Sequence, residues 1–344
     1  MKVLITGAAG FVGSHCAEYY ALKGAEVYGI DNLIRSQLFK SRKKSVEYNW
    51  EYLARYKNIH RIKADLRYPE TFSRLRKQKF DLVIHTAAQP GVGFSLKNPQ
   101  DDFSLNALAT FNVLEFVRKY CPQATFIYCS TNKVYGARVS QFKIKEYNSR
   151  YEFRNIKAVN EQVGIDLTPH TPYGVSKYVG DIYTQEYGAV YKIKSAVFRM
   201  SCIYGTRQFG FEDQGWLAWF LISGLKNRKI TIYGDGKQVR DVLYVSDLVE
   251  AFDKFYHSRI DSGVFNIGGG IKNSISLLEY IKFLENNFNI RFKIRFDNWR
   301  LYDQKVYISD ISYVSRRLNW KPKIDYQEGI RRLYIWVKNN IQLF

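Results

Sequence analysis

A tyrosine and a lysine four positions apart have the types and spacing that best suit chemistry in this sequence. Tyr173 and Lys177 share one face of a predicted helix, because residues i and i+4 are neighbours on a helix surface. A phenol with an ordinary pKa of about 10 is a poor base at neutral pH, but a nearby ammonium group favours its phenolate form. The pair therefore predicts proton transfer with a substrate hydroxyl, which Thr131, after an upstream strand, is predicted to hold.

A glycine-rich loop near the start of the chain predicts a dinucleotide. Gly7, Gly10 and Gly13 follow a predicted strand and open a predicted helix, where glycines permit a tight turn and close backbone approach to a pyrophosphate. The amino end of that helix adds a partial positive charge. Asp31 ends the next strand, where a carboxylate binds an adenosine ribose 2′-hydroxyl and repels a 2′-phosphate. The pattern favours NAD over NADP, although Arg35 is of a type that accommodates a 2′-phosphate.

The elements that must position these residues alternate between strand and helix through the first 200 positions. Strands are predicted at 3–6, 26–31, 59–63, 81–86, 125–130 and 195–200, and helices at 11–23, 101–120 and 173–191. This alternation predicts an α/β fold with a Rossmann-type doubly wound parallel sheet. Beyond residue 200 the alternation breaks. We expect an NAD-binding domain at 1–200 and a smaller substrate domain at 201–344, with some segments returning to the sheet.

Composition narrows the class of protein further. Of the 344 residues 46% are hydrophobic, which supplies a sizeable core and excludes wholesale disorder. The net charge of +20 comes with no nucleic-acid recognition motif, so we expect it to attract an anionic small substrate. The four cysteines lack metal-binding spacing, and the longest apolar run is about half of what a bilayer requires. We expect a cytoplasmic protein with no metal, membrane or nucleic-acid partner.

These motifs together resemble the extended short-chain dehydrogenase/reductase superfamily, the NAD-dependent epimerases and dehydratases. The glycine spacing at 7–13 matches its loop, and Ser130-Thr131 with Tyr173 and Lys177 matches its Ser/Thr–Tyr–Lys triad. The resemblance implies that Thr131, Tyr173 and Lys177 are catalytic. It implies that the cofactor-binding residues are Gly7, Gly10, Phe11, Val12, Gly13, Asp31, Asn32, Asp65, Leu66, Ala87, Ala88, Gln89, Asn106, Ser130, Tyr173, Lys177 and Ser201.

The residues after Thr131 indicate which reaction of that superfamily to expect. Its dehydratases carry Thr-Asp-Glu there, and the two acids move protons during loss of water; this chain has Asn132 and Lys133 instead. What remains is epimerisation by oxidation and re-reduction of one alcohol carbon, or a net dehydrogenation. Segments 205–209, 213–216 and 234–241 resemble the branch that interconverts CDP-paratose and CDP-tyvelose, which implies C2 epimerisation of a CDP-hexose. A UDP-sugar 4-epimerase and a non-catalytic dinucleotide-binding protein remain alternatives.

Arginines and polar side chains of the second half suit a nucleotide-sugar substrate, since guanidinium groups bind phosphate oxygens bidentately. Trp216 suits the core equally well. Residues 138–160 are unusually basic, and their role is not predicted. Helices 101–120 and 173–191 are predicted to pair into a homodimer or higher homo-oligomer. The expected substrate-binding residues are Lys133, Arg207, Gln208, Gln214, Gly215, Trp216, Tyr233, Arg240, Arg300 and Asp303.

Overall fold

A seven-stranded sheet forms the centre of the fold in the computed structural model, which describes residues 1–38 and 44–344. Its order is β12-β8-β5-β4-β1-β2-β3, and the pairs from β5 to β3 are parallel. The strands are β1 Lys2–Thr6, β2 Glu26–Asp31, β3 Ile59–Lys63, β4 Leu82–His85, β5 Thr125–Thr131, β6 Ile144–Glu146, β7 Tyr151–Phe153, β8 Ser195–Met200, β9 Cys202–Tyr204, β10 Lys229–Tyr233, β11 Val239–Tyr244, β12 Ser262–Ile267, β13 Ser274–Ser276, β14 Lys293–Asp297 and β15 Val306–Tyr307.

Helices connect the strands. They are α1 Phe11–Leu22, α2 Arg35–Leu38, α3 Lys44–Leu53, α4 Val92–Lys97, α5 Pro99–Phe103, α6 Ala109–Tyr120, α7 Pro172–Tyr191, α8 Trp216–Leu225, α9 Val245–His257, α10 Leu277–Phe288, α11 Ser312–Leu318 and α12 Tyr326–Asn339. A π-helical turn at Ser104–Leu108 interrupts the helix that the sequence predicts as continuous over 101–120. Among the described residues, no helix is long and apolar enough to cross a membrane.

The central sheet confirms the predicted doubly wound fold. All seven residues of β5 are buried, as expected for a parallel strand covered on both faces. The chain moves outward from β1 to β2 and β3 on one side and to β4 and β5 on the other. This reversal opens a crevice at the carboxyl ends of β1 and β4, where such sheets bind ligands. Six of the strands lie at the predicted positions, and β12 is a later segment that returns to the sheet.

The helix that carries Tyr173 begins at a position that its sequence defines well. Thr171 is its N-cap and accepts a hydrogen bond from the backbone N–H of Gly174 at 3.2 Å, and Pro172 occupies the first turn. A threonine cap followed by proline is a common helix start, because the hydroxyl satisfies an otherwise unpaired amide and proline has none to lose. Tyr173 and Lys177 are therefore held at a fixed, buried start of α7.

The chain divides into two compact units. The first contains Met1–Val134, Thr171–Arg199 and Val249–Phe265, and the second contains Tyr135–His170, Met200–Leu248 and Asn266–Phe344. Tyr135–His170 therefore differs from the predicted division at residue 200. The reason is that this segment packs within the second unit: Tyr151 donates its amide N–H to the carbonyl of Lys237, and its β6–β7 hairpin packs around a small core with Val239 and Val306.

Candidate active site

The glycine loop takes the conformation that the sequence predicts. Gly7 has a φ of 71°, and a Cβ there would lie 2.7 Å from the backbone nitrogen of Ala87. A Cβ on Gly13 would lie 2.2 Å from the carbonyl oxygen of Gly7. Both positions exclude larger residues, and Gly10 is the N-cap of α1, which begins with Phe11 and Val12. The loop therefore presents backbone and a helix amino end at the edge of the sheet.

A cavity lies in the first unit beside this loop. It contains nine of the predicted cofactor residues: Gly7, Gly10, Asp31, Asn32, Asp65, Leu66, Ala87, Ala88 and Gln89. Arg35, which the sequence analysis noted beside Asp31, also lines it, and the other lining residues were not predicted: Ala9, Ile30, Ile34, Leu38, Ala64, Thr86, Leu105 and Ala109. Many of them directly flank the motif positions, and that proximity is the signal that would have found them.

Asp31 ends β2 on the wall of this cavity. Its carboxylate accepts hydrogen bonds from the backbone N–H groups of Ala9, at 2.9 Å, and Leu33, at 2.8 Å. Burial raises the pKa of Asp31, while these two donors and the positive charge of Arg35 act in the opposite direction. Asn32 donates to the carboxylate of Asp65 at 3.1 Å. Hydrogen bonds thus connect the residues at the end of β2 to the glycine loop and to the residues after β3.

The predicted catalytic residues lie close together in the first unit. Tyr173 and Lys177 are both buried on α7, and Thr131 is the last residue of β5 rather than the residue after it. Burial raises the pKa of Tyr173 to about 12; a hydrogen bond with Thr131 lowers it and the negative charge of Asp102 raises it. The ammonium of Lys177 lies over the ring of Tyr128, 4.3 Å from the centroid. In the chain alone Tyr173 is a neutral phenol.

Burial also acts on the basic groups of this region. It lowers the pKa of Lys177 to about 8, against the negative charges of Asp181 and Asp102, and it raises the pKa of Cys129 to about 12. It lowers the pKa of His85 to about 3, and the imidazole bonds to Thr6 and Thr110 at 2.7 and 2.9 Å. His85 is therefore neutral. Lys177 can exchange its proton near physiological pH.

Eight predicted cofactor residues lie outside the cavity lining, and three of them, Ser130, Asn106 and Ser201, have other hydrogen-bond partners. Ser130 donates to Asp181 at 2.9 Å, on the side of β5 that faces α7 and β8. Asn106, in the π-helical turn, accepts from the amide of Gln89 at 2.7 Å. Ser201 belongs to the second unit and donates to the backbone carbonyl of Asp241 at 3.0 Å. Phe11 packs its ring against that of His15, with centroids 5.5 Å apart.

The predicted substrate residues form small groups within the second unit, except Lys133, which lies in the first. The guanidinium of Arg300 lies 4.0 Å from the ring centroid of Tyr233 and pairs with Asp213 at 3.0 Å. Arg240 pairs with Asp303 at 2.7 Å. Arg300 and Arg240 thus each form an ion pair with a carboxylate of the second unit. The backbone N–H of Lys133 donates a hydrogen bond to Thr131 Oγ1 at 3.3 Å.

A third group in the second unit surrounds the start of α8. Gly215 has a φ of 76° and precedes Trp216, and a Cβ on it would lie 3.1 Å from Nε2 of Gln208. Gln208 is buried and donates to the carbonyl of Ile203. Trp216 packs its ring edge-to-face on Tyr280, 5.3 Å between centroids, which is a core contact. Gln214 pairs its backbone with Phe211, and Arg207 is buried with a φ of 60°.

Comparisons with known proteins decide the family. Residues 3–268 match the NAD dependent epimerase/dehydratase family. The chain belongs to this family. The epimerase/dehydratase match confirms the predicted resemblance, and it makes the chain an NAD-dependent enzyme rather than a non-catalytic dinucleotide-binding protein. The cavity fits the cofactor, because the glycine loop at the amino end of α1 and the carboxylate residue Asp31 both line it.

Relatives within the epimerase/dehydratase family act on different nucleotide sugars. The chain is 37% identical to a CDP-paratose 2-epimerase of Salmonella typhi over 98% of this chain and 100% of that one. It is 29% identical to a UDP-glucuronate 4-epimerase of Thermodesulfobacterium geofontis, over 99% and 97%. A solved UDP-glucuronic acid 4-epimerase variant from Bacillus cereus, in complex with NAD, matches with a TM-score of 0.83 and 28% identity, over 99% and 100%.

Proposed function

We propose that this enzyme inverts C2 of a CDP-hexose of the CDP-paratose/CDP-tyvelose type, by transient oxidation to a keto sugar. The observation that carries the proposal is the order Thr131-Asn132-Lys133 at the end of β5, beside the buried Tyr173. Asn132 is buried and carries no proton to give at neutral pH, so the acid pair of a dehydratase is missing there. The similarity to a CDP-paratose 2-epimerase over nearly the whole chain supports the choice of carbon and nucleotide.

The chain's own residues would handle the proton of the substrate hydroxyl. Thr131 and Tyr173 are close enough to share a hydrogen bond, so one substrate hydroxyl can contact both. Bound NAD supplies a reversible hydride acceptor and a positive charge that favours the phenolate of Tyr173. Lys177 remains an ammonium below its pKa of about 8 and adds to that effect. Tyr173 would then take the proton during oxidation and return it during reduction.

The second unit would bind the nucleotide part of the substrate. We propose that Arg207, Arg240 and Arg300 neutralise the diphosphate, since a guanidinium matches phosphate oxygens. Arg240 and Arg300 already pair with Asp303 and Asp213, so a diphosphate would compete with or join these carboxylates. The stacked pair of Tyr233 and Arg300 offers a flat surface for a nucleobase. Gln208, Gln214 and Gly215 would complete this region.

Exposed apolar side chains on or beside helices α6 and α7 suggest that the protein self-associates. Leu108, Phe111, Val175, Ile182 and Tyr183 are apolar and exposed on or beside α6 and α7. Such a group of exposed apolar residues is typical of an interface. We propose a homodimer through this surface, and light scattering on the purified enzyme would test it.

All four cysteines are free thiols, which supports a reducing, cytoplasmic environment.

A panel of CDP-, UDP- and GDP-hexoses, with NMR analysis of the products in D₂O, tests the reaction. We expect inversion at C2 of a CDP-hexose with protium retained at that carbon, because the hydrogen removed returns without exchange. Deuterium at C2 would indicate direct proton abstraction and overturn the mechanism. A 4-keto-6-deoxy product with deuterium at C5 would indicate a dehydratase.

A UDP-sugar 4-epimerase is the second candidate. Its support is the similarity to UDP-glucuronate 4-epimerases in sequence and in solved structures. Inversion at C4 of UDP-sugars, without turnover of CDP-sugars, would leave the proton chemistry of Tyr173 intact and replace the substrate.

A further inference from the structure

A buried carboxylate outside the predicted site lies among the residues that surround Tyr173. Asp102 is on the short helix α5 and is fully shielded from solvent. Its Oδ1 accepts hydrogen bonds from Gln89, at 2.6 Å, and from Asn106, at 3.1 Å. Its Oδ2 has no hydrogen-bond donor in the described part of the chain. A buried, incompletely bonded carboxylate is costly to fold, so a functional reason for it is expected.

The carboxylate fixes the orientation of the Gln89 side chain. A carboxylate only accepts hydrogen bonds, so the amide nitrogen of Gln89 must face Asp102. The amide oxygen of Gln89 then faces the backbone N–H of Gly91 and accepts from it, while the amide nitrogen also donates to the Gly91 carbonyl at 3.0 Å. Gln89 lines the cofactor cavity. Asp102 thereby fixes the loop that follows β4.

The same carboxylate orients Asn106 towards the catalytic helix. The amide nitrogen of Asn106 shares its two hydrogens among three acceptors, namely Asp102, the Gln89 carbonyl at 3.1 Å and Ser176 Oγ at 3.0 Å. Ser176 in turn donates to the carbonyl of Tyr173 at 3.1 Å. An unbroken series of hydrogen bonds thus runs from Asp102 to the first turn of α7.

Asp102 also contributes charge to this region. The groups that act on Tyr173 are Thr131 from β5 and Asp102 from α5. Those that act on Lys177 are Cys129 from β5, Asp181 from α7 and Asp102, while the ring of Tyr128 lies beside the ammonium and His85 is neutral. Asp102 raises the pKa of both Tyr173 and Lys177. It is the one residue of α5 that influences both members of the pair.

We propose that Asp102 is a positioning residue for the Tyr173–Lys177 pair: it orients Gln89 and Asn106 and sets the pH range in which the pair can transfer a proton. The inference rests on the proposed function only in taking Tyr173 as the proton acceptor. The sugar and the nucleotide do not enter it.

The test compares two single-charge variants of the same short helix. Asp102→Asn keeps the shape and an acceptor oxygen but removes the buried charge, whereas Asp101→Asn removes an exposed charge one residue earlier. In protein labelled with [ε-¹³C]lysine, Lys177 is assigned by the signal lost in Lys177→Met and is titrated by NMR without substrate. We expect its midpoint to fall by about one pH unit in Asp102→Asn, the shift typical of losing one nearby opposite charge. In Asp101→Asn it should stay at the wild-type value.

The pH profile of kcat should follow the NMR titration. In Asp102→Asn both limbs should move to lower pH by a similar amount, because both pKa values fall, while the urea midpoint of unfolding shows that the fold is retained. An unchanged Lys177 midpoint together with unchanged limbs would overturn the inference and leave the proposed function standing. Full turnover in Tyr173→Phe would instead overturn the proposed proton acceptor, whatever Asp102→Asn shows.

Discussion

The loss of one partner from the buried ion pair between Asp181 and Arg199 should strongly destabilise the first unit. Asp181 is fully buried, and its carboxylate accepts from Arg199 Nε at 2.9 Å, Arg199 Nη2 at 3.1 Å and Ser130 at 2.9 Å. Gln185 adds a fourth donor at 2.7 Å. Asp181→Asn leaves the guanidinium of Arg199 buried without its counter-charge. Removing one partner of a buried pair costs roughly 3–5 kcal/mol of unfolding free energy.

Urea unfolding followed by circular dichroism measures this cost. With a slope of roughly 3 kcal/mol per molar urea, the midpoint should fall by about 1 M or more. Glu51→Gln is the matched control in the same unit, because Glu51 pairs with Arg61 at 2.9 Å while largely exposed. It should change the free energy by less than about 1 kcal/mol. The double variant Asp181→Leu/Arg199→Met should recover most of the loss.

Equal midpoints for Asp181→Asn and Glu51→Gln would refute this reasoning, since they would show that Arg199 is not left with an uncompensated charge. A double variant no more stable than Asp181→Asn would show that the loss comes from the Ser130 and Gln185 bonds instead. Either result would also change the view of how β5 and β8 are joined to the catalytic helix.

Three further changes act on the cofactor and the chemistry. Tyr173→Phe should lower kcat by on the order of 10²–10⁴ while calorimetry finds NAD binding unchanged, because only the proton-carrying hydroxyl is lost. Gly13→Ala should abolish measurable NAD binding, since its Cβ would lie 2.2 Å from the Gly7 carbonyl, whereas Gly164→Ala, with no atom within 4 Å, should bind normally. Asp31→Ala should weaken NAD binding about tenfold or more and NADP binding less, measured by calorimetry; an unchanged ratio of the two would contradict the predicted role of its carboxylate.

Local sequence patterns predicted the elements of the first unit well because each carries its own signal. β1, β4 and β5 are continuous apolar runs, and α7 has a threonine cap with proline in its first turn. The bounds of β2, β3 and β8 agree with the prediction to the residue. The glycine spacing at 7–13 correctly predicted a tight turn, because only backbone geometry is involved there.

Features that depend on distant contacts were not predictable. The assignment of Tyr135–His170 to the second unit depends on pairing with residues much later in the chain, such as Val159 with Ser309. Spacing in α7 predicted that Tyr173 and Lys177 lie on one helix face. It could not predict the contact of Lys177 with the ring of Tyr128, because Tyr128 lies on β5. Asp102 resembles any acidic residue near a helix start until its burial is known.

The interleaving of the two units has a consequence for how this enzyme is made. The chain passes from one unit to the other after residues 134, 170, 199, 248 and 265. During translation the first unit therefore cannot complete its sheet until β12 has left the ribosome, when most of the second unit's strands have already been synthesised. Neither unit can finish folding before the other has begun, so the nascent chain must keep β8 as an open sheet edge, a state prone to pairing with other chains. For the same reason, a chimera made to exchange substrate specificity between two relatives through a single fusion point would divide both units.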